Sequence, residues 1–213
     1  MLEEVVGELK KGVTVDGLRV RADDFIQSRS GNEVDCAVYV SFSGEKESLL
    51  IIRFFYGIKG HYFPWAELFA IKPSVYVGGR KVNYFGSSVE EKILKLTANH
   101  LRAGGAVFVE YDADDETSKQ LRKRVPLPLT RLGFLLYGLG FTWFKDFYFA
   151  EGFKEGGAKL RAEKPIDRKA KVRHVKEIKK DAQEFLEMVK KEKTKDPLVL
   201  KAAERAKSFL AAS

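Results

Sequence analysis

One cysteine, three histidines and three glutamines are all that this sequence contains of those residues, and each shortage excludes something. With Cys36 alone, no internal disulfide can form and no cysteine cluster can hold zinc. His61, His100 and His174 lie far apart and make no H-x-x-x-H or H-E-x-x-H pattern, so no metal is expected. No run approaches the roughly 20 apolar residues that span a bilayer, so no membrane partner is expected either. The opening Met1-Leu2-Glu3-Glu4 is acidic and unlike a secretory signal, which makes a cytoplasmic location the expectation. Scarce glutamine (Gln27, Gln120, Gln183) beside abundant lysine and glutamate suits a thermophilic source.

What is present is a chain of 213 residues, 45% hydrophobic, enough for one sizeable core and an appendage. The net charge of +8 is unevenly spread. Residues 151–213 carry 18 Lys+Arg against 11 Asp+Glu, a net of +7, which leaves +1 for residues 1–150. A tail this basic either touches nucleic acid, RNA included, or is a solvated helix with lysines on its outer face.

Apolar residues at Leu2, Val5, Val6 and Leu9 predict a short amphipathic helix over 1–12. Val13–Val20 reads as a hairpin turning at Asp16-Gly17. Period-two alternation predicts a strand over Val34–Phe42, followed by a Ser43–Lys46 turn and a strand over Leu49–Phe55. Glu67–Val77 reads as a third strand. Gly86-Ser87-Ser88 opens a helix with apolar Val89, Ile93, Leu94, Leu96 and Leu101, stopped by Ala103-Gly104-Gly105. Ala106–Tyr111 is a buried strand, and residues 114–124 form a short helix with acids first and bases last. Pro126 and Pro128 launch a helix over Leu129–Leu139, whose Gly133 and Gly138 permit close packing. Thr142–Phe149 closes the core as an aromatic strand before a glycine-rich loop, 151–157. Beyond Pro165, Val175, Ile178, Ala182, Phe185 and Val189 form a narrow helical seam, which packs on the parent domain or on a second copy as a homodimer. Lys195-Asp196-Pro197 breaks it before a last helix over Leu198–Leu210.

The order of meander, glycine-opened helix, buried strand, second helix, Gly140-Phe141 and final strand resembles the GNAT-type N-acetyltransferase superfamily over roughly residues 34 to 149. Leu135-Leu136-Tyr137-Gly138-Leu139-Gly140-Phe141 is the most recognisable piece. The whole chain, with LTRLGFLLYGLGFTWFKDFYF and EGFKEGGAKL, also resembles an uncharacterised, largely archaeal family known only as a domain of unknown function. The resemblance implies an α/β (α+β) fold with a mixed, mostly antiparallel sheet flanked by helices. It also implies a GNAT-like domain over 1–164 and a basic helical extension over 165–213.

It further implies acetyl-CoA or another acyl-CoA as cofactor, with the pyrophosphate on backbone amides at the start of the first core helix. By position those are Gly86, Ser87, Ser88 and Val89, although the loop has one glycine and lacks the usual Arg or Gln. Ser87 or Ser88 also reads as an ordinary helix cap. The tyrosine that protonates the departing thiolate in such enzymes falls at Leu136; Tyr137, one place off, is the candidate acid or a packing residue. Glu110 is the candidate base toward an amine acceptor, or a strand-end carboxylate paired with a lysine. Arg122 and Arg124, with Lys119, Lys123 and Arg131, are candidates for phosphates of a coenzyme or of RNA, or a solvated face. Glu151 and Glu155 are candidates for a cationic amine or a weakly held metal. Phe54–Tyr56 and Tyr62–Trp65 are aromatic enough for base stacking, though mostly expected in the core.

Two functions follow: an acyl-CoA-dependent N-acyltransferase, or a non-catalytic GNAT-fold binding or assembly module, RNA-associated through its tail. A methyltransferase-like fold is suggested by Leu101–Gly105 before Val107–Glu110, but the glycine-rich strand–helix turn it needs is missing.

Overall fold

The computed structural model describes residues 2–27, 33–41, 48–56, 65–70, 73–112, 114–148 and 158–211. The Ser43–Lys46 turn, His61, Tyr62–Pro64 and the 151–157 loop with Glu151 and Glu155 lie outside the described residues, as do the side chains of Cys36 and Phe54–Tyr56. The chain divides into two compact units, Met1–Glu110 and Tyr111–Ser213. Among the described residues there are six α-helices and mostly antiparallel sheets, a mixed α/β architecture.

The first unit begins with α1 (Leu2–Lys11), which buries Val5, Val6 and Leu9. β1 (Val13–Val15) and β2 (Leu18–Gln27) form the expected hairpin. Asp16 and Gly17 both have positive φ, 48° and 76°, as a two-residue type I′ turn requires. β3 (Glu33–Ser41), β4 (Ser48–Tyr56) and β5 (Trp65–Ala70) continue the meander antiparallel. The strand expected over Glu67–Val77 is two strands. β5 ends at Ala70, and β6 (Ser74–Val77) starts after Pro73, which has no N–H to donate. β6 pairs with β7 (Arg80–Asn83) across Gly78-Gly79, a turn whose sequence signal was present.

α2 (Ser88–His100) buries Val89, Ile93, Leu94 and Leu96 as its spacing predicts. It ends at His100, earlier than the glycines: Leu101 is extended, and Gly104, at φ 74°, makes the turn into β8 (Ala106–Tyr111). β8 pairs parallel with β5, from Trp65 opposite Ala106 to Leu68 opposite Val109. His100, at the end of α2, lies between Glu4 and Glu8 of α1, 3.2 and 3.1 Å away.

The second unit holds α3 (Glu116–Arg122), a 3-10 turn (Leu127–Leu129) and α4 (Arg131–Gly138). The helix expected over Leu129–Leu139 is therefore divided at Thr130. This threonine caps α4 by accepting from Gly133 N–H at 3.2 Å and donates to Leu127 O at 2.7 Å. β9 (Trp143–Tyr148) pairs with β10 (Ala158–Glu163), a strand not expected from the sequence although Leu160 and Ala162 alternate with charged neighbours. α5 (Arg168–Glu192) and α6 (Pro197–Ala211) complete the unit. The seam is filled from within the unit: Ile178, Ala182 and Phe185 cluster with Val199, Ala202, Ala206 and Phe209, together with Val125 and Leu129.

Gly133 has a packing reason. A Cβ there would lie 2.0 Å from Leu127 O and 2.9 Å from Leu127 C, so the α4 backbone rests directly on the 3-10 turn. At Gly138 a Cβ would meet nothing within 4 Å. Gly133→Ala is expected to cost about 2–3 kcal/mol through overpacking. Gly138→Ala is expected to stabilise by about 0.5–1 kcal/mol through helix propensity. Urea unfolding of the two variants measures both, and equal effects would refute the contrast.

Polar contacts fix α6 to α3. The Glu116 carboxylate accepts from Arg205 at 2.9 Å and Lys201 at 3.1 Å. Burial alone would raise the Glu116 pKa, but those two cations outweigh it and hold the carboxyl below its ordinary 4.5. A carboxyl depressed in the folded state stabilises above its unfolded value and loses that contribution as pH falls through the folded one. Glu116→Gln should therefore lower the melting temperature at pH 7 but not near pH 2. A deficit that persisted at low pH would assign the effect to packing.

Candidate functional site

The start of α2 is built from local hydrogen bonds. Gly86 takes φ 73°, which favours glycine and turns the chain into the helix. Ser87 is the N-cap; its hydroxyl accepts from Glu90 N–H at 3.3 Å and donates to Tyr84 O at 2.6 Å. Glu90, fully buried, accepts the Gly86 N–H at 2.7 Å through Oε2. This is a capping box shifted by one residue, since the Ser87 N–H is already given to Tyr84 O. The Ser88 hydroxyl donates to the Asp16 carboxylate, which reaches over from the β1–β2 turn. Val89 is buried in the core.

Carboxylates gather at this helix end. A bare N-terminus attracts an anion by about 0.3–1 kcal/mol. Here Glu90 and Glu91 lie in the first turn and Asp16 holds Ser88. These carboxylates oppose an anion at the same place. The sequence signal for this arrangement was Ser87 followed three residues later by Glu90; no local signal could have announced Asp16.

The other candidates divide between the units. Glu110 is half-buried near the end of β8 in the first unit, next to fully buried Val109. Tyr137, in the second, packs into the cluster of α4, α5 and α6, its ring centroid 4.5 Å from that of Phe209 at 71°. Arg122 folds back on its own helix, to Ser118 Oγ at 3.3 Å. Arg124 is exposed at φ 61°, its N–H given to Leu121 O at 2.9 Å as the chain leaves α3. In the run that includes them, Arg131 pairs with nearly buried Asp115 at 3.2 Å and Lys123 with Asp196. Both acids lie outside the run itself, so the sequence presented a cationic cluster where the fold has neutralised two members. Asp196 also accepts from Leu198 N–H at 2.9 Å, capping α6, and Lys123 holds its carboxyl below the usual range.

The basic tail presents a different surface. Along the first half of α5 runs an open groove lined by Arg168, Lys169, Val172, Arg173, Lys176 and Glu177. On β10, by contrast, Arg161 is paired with Glu163 and lies 5.6 Å from the centroid of the Trp143 ring, while burial lowers the pKa of Lys159. Among the described residues no group of three or more His, Cys, Asp or Glu could hold a metal ion. No helix among them is long and apolar enough to cross a membrane.

Fold and site together define a mixed α/β protein of two compact units, with an acid-capped core helix and a basic carboxy-terminal helix pair. The chain belongs to a family described as a protein of unknown function, DUF1122, whose model matches residues 16–189. A solved structure of a protein of unknown function from Aquifex aeolicus VF5 is 35% identical, with a TM-score of 0.75. The match covers 99% of this chain and 98% of that one. No curated protein matches the chain. These findings agree with the resemblance to a family of unknown function and bear on neither its acetyltransferase component nor an archaeal source.

Ser87→Ala removes the cap and is expected to cost about 1 kcal/mol in chemical denaturation. No measurable loss would mean that Glu90 and Tyr84 hold the helix start without it.

Proposed function

We propose that this chain is a non-catalytic binding module of GNAT-like fold that associates with RNA through its basic tail. The observation that carries the reading is the presence of three acidic residues, Asp16, Glu90 and Glu91, at the helix start where an acyl-CoA-dependent enzyme places the coenzyme pyrophosphate. The packing of Tyr137 against Phe209 supports it, because a proton donor to a departing thiolate must face the acyl donor rather than a neighbouring helix. The fold part is supported by the parallel pairing of β5 and β8 around α2 in an otherwise antiparallel meander. That same topology favours the second reading, an acyl-CoA-dependent N-acyltransferase using Gly86–Val89, Glu110 and Tyr137 toward an amine.

Calorimetric titration with acetyl-CoA and longer acyl-CoAs separates the two. The binding-module reading expects no saturable heat. Saturable binding that weakens when Ser87 and Ser88 are both replaced by proline would overturn it and restore the transferase.

A further inference from the structure

The amino-terminal half of α5 breaks the rules for charge placement on a helix. Its N-cap, Asp167, accepts the Ala170 N–H at 2.7 Å and places one carboxylate at the positive end of the macrodipole, but the first turn itself carries Arg168, Lys169 and Lys171, which that end disfavours. Lys169, Arg173, Lys176 and Lys180 then follow at steps of four, three and four. Those steps place them within about 60° of arc, with axial spacings of about 6, 4.5 and 6 Å. Each neighbouring pair is a like-charge pair at i,i+3 or i,i+4, disfavoured by a few tenths of a kcal/mol. Among the described residues Glu177 is the carboxylate that lines the groove, Glu184 pairs with Lys180 at 3.7 Å, and the charge of Asp181 also acts on Lys180. Among the described residues the spacing of like charges in this stripe slightly opposes the helix, which points to a ligand as its explanation.

Resting on the binding-module reading, we propose that Lys169, Arg173 and Lys176, extended by Arg168 and Lys180, form a stripe that binds the phosphodiester backbone of an RNA strand. The cations stand in a row along one helix, as successive phosphates stand along a strand. The close repeat matches RNA, whose C3′-endo sugars bring neighbouring phosphates nearer together than the C2′-endo sugars of B-form DNA. Val172, 48% exposed between the cations, and Ile166, 56% exposed at the approach to the helix, offer apolar contact to sugars without reading sequence. An anionic membrane is a poorer partner. An interfacial helix inserts its apolar face, and that of α5, through Ile178, Ala182 and Phe185, is buried against α6.

The test uses the full chain and fluorescence anisotropy with a labelled single-stranded RNA of mixed sequence, over a series of salt concentrations. A triple variant, Lys169→Gln, Arg173→Gln and Lys176→Gln, removes three cations from exposed positions. A control, Lys193→Gln, Lys195→Gln and Lys207→Gln, removes the same charge elsewhere on the tail. The stripe variant should bind about tenfold or more weakly, and its log–log salt slope should fall by about 2, at roughly 0.7 for each phosphate no longer neutralised. The control should stay within about threefold of the native chain. Equal losses in both variants would overturn the stripe while leaving the binding-module reading in place. No RNA binding by the native chain would overturn both. Equal or tighter binding to single-stranded DNA of the same sequence, or displacement by phosphatidylserine vesicles at matched charge, would overturn the assignment to RNA.

Discussion

Gln120 is fully buried and uses both ends of its amide twice. Its nitrogen donates to Glu116 Oε1 at 3.2 Å and to Leu198 O at 3.1 Å; its oxygen accepts from Arg131 N–H at 2.8 Å and Arg205 at 3.3 Å. A primary amide offers two donor and two acceptor positions, and all four are filled. The partners come from α3, the start of α4 and two places on α6, so one side chain sets the mutual positions of three helices. An unfilled position would cost about 1–3 kcal/mol in this interior, which makes alternative packings expensive. Arg205 adds a bond to Leu129 O at 3.3 Å, reaching the 3-10 turn on which Gly133 rests.

This network makes the carboxy-terminal helices part of the second unit's core. α6 is fixed to α3, α5 packs on α6 through small and aromatic residues and meets Thr142 through His174 at 3.1 Å, and Lys169, Arg173 and Lys176 on α5 are exposed. A basic helix on a flexible tether would have to be ordered by its ligand. One anchored in this way holds its cations at set intervals before any ligand arrives, so binding forfeits less entropy.

Much of the fold was legible because its signals are local. The Asp16-Gly17 turn, the period-two strands and the spacing of Val89, Ile93 and Leu96 all depend on neighbours in the chain. β10 and the β6–β7 hairpin carried equally local signals in Leu160, Ala162 and Gly78-Gly79, and were obscured by adjoining stretches that read as a loop and as a longer strand. The site was less legible, since its character depends on charges distant in sequence. Asp16 meets Ser88 across 72 positions and Asp196 meets Lys123 across 73. Such pairings bring a carboxylate to a glycine–serine helix start and neutralise part of a run of arginines and lysines. The serine cap itself was visible at Ser87; that its surroundings are anionic was not.

β2 lies at the edge of its sheet along much of its length. β1 covers only Leu18–Val20, and among the described residues no strand lies along the outer side of Arg21–Gln27. An uncovered edge of that length is a template for intermolecular sheet growth. The register of β2 against β3 is interrupted between Ala22 and Asp24, where two consecutive aspartates, Asp23 and Asp24, occupy the strand. A register shift interrupts the ladder there, and two acidic residues in succession disfavour the pairing of an arriving strand. The irregularity in an otherwise continuous meander thus falls on the stretch of β2 that, among the described residues, has no strand beside it, where a regular ladder would be the easiest for a second chain to extend.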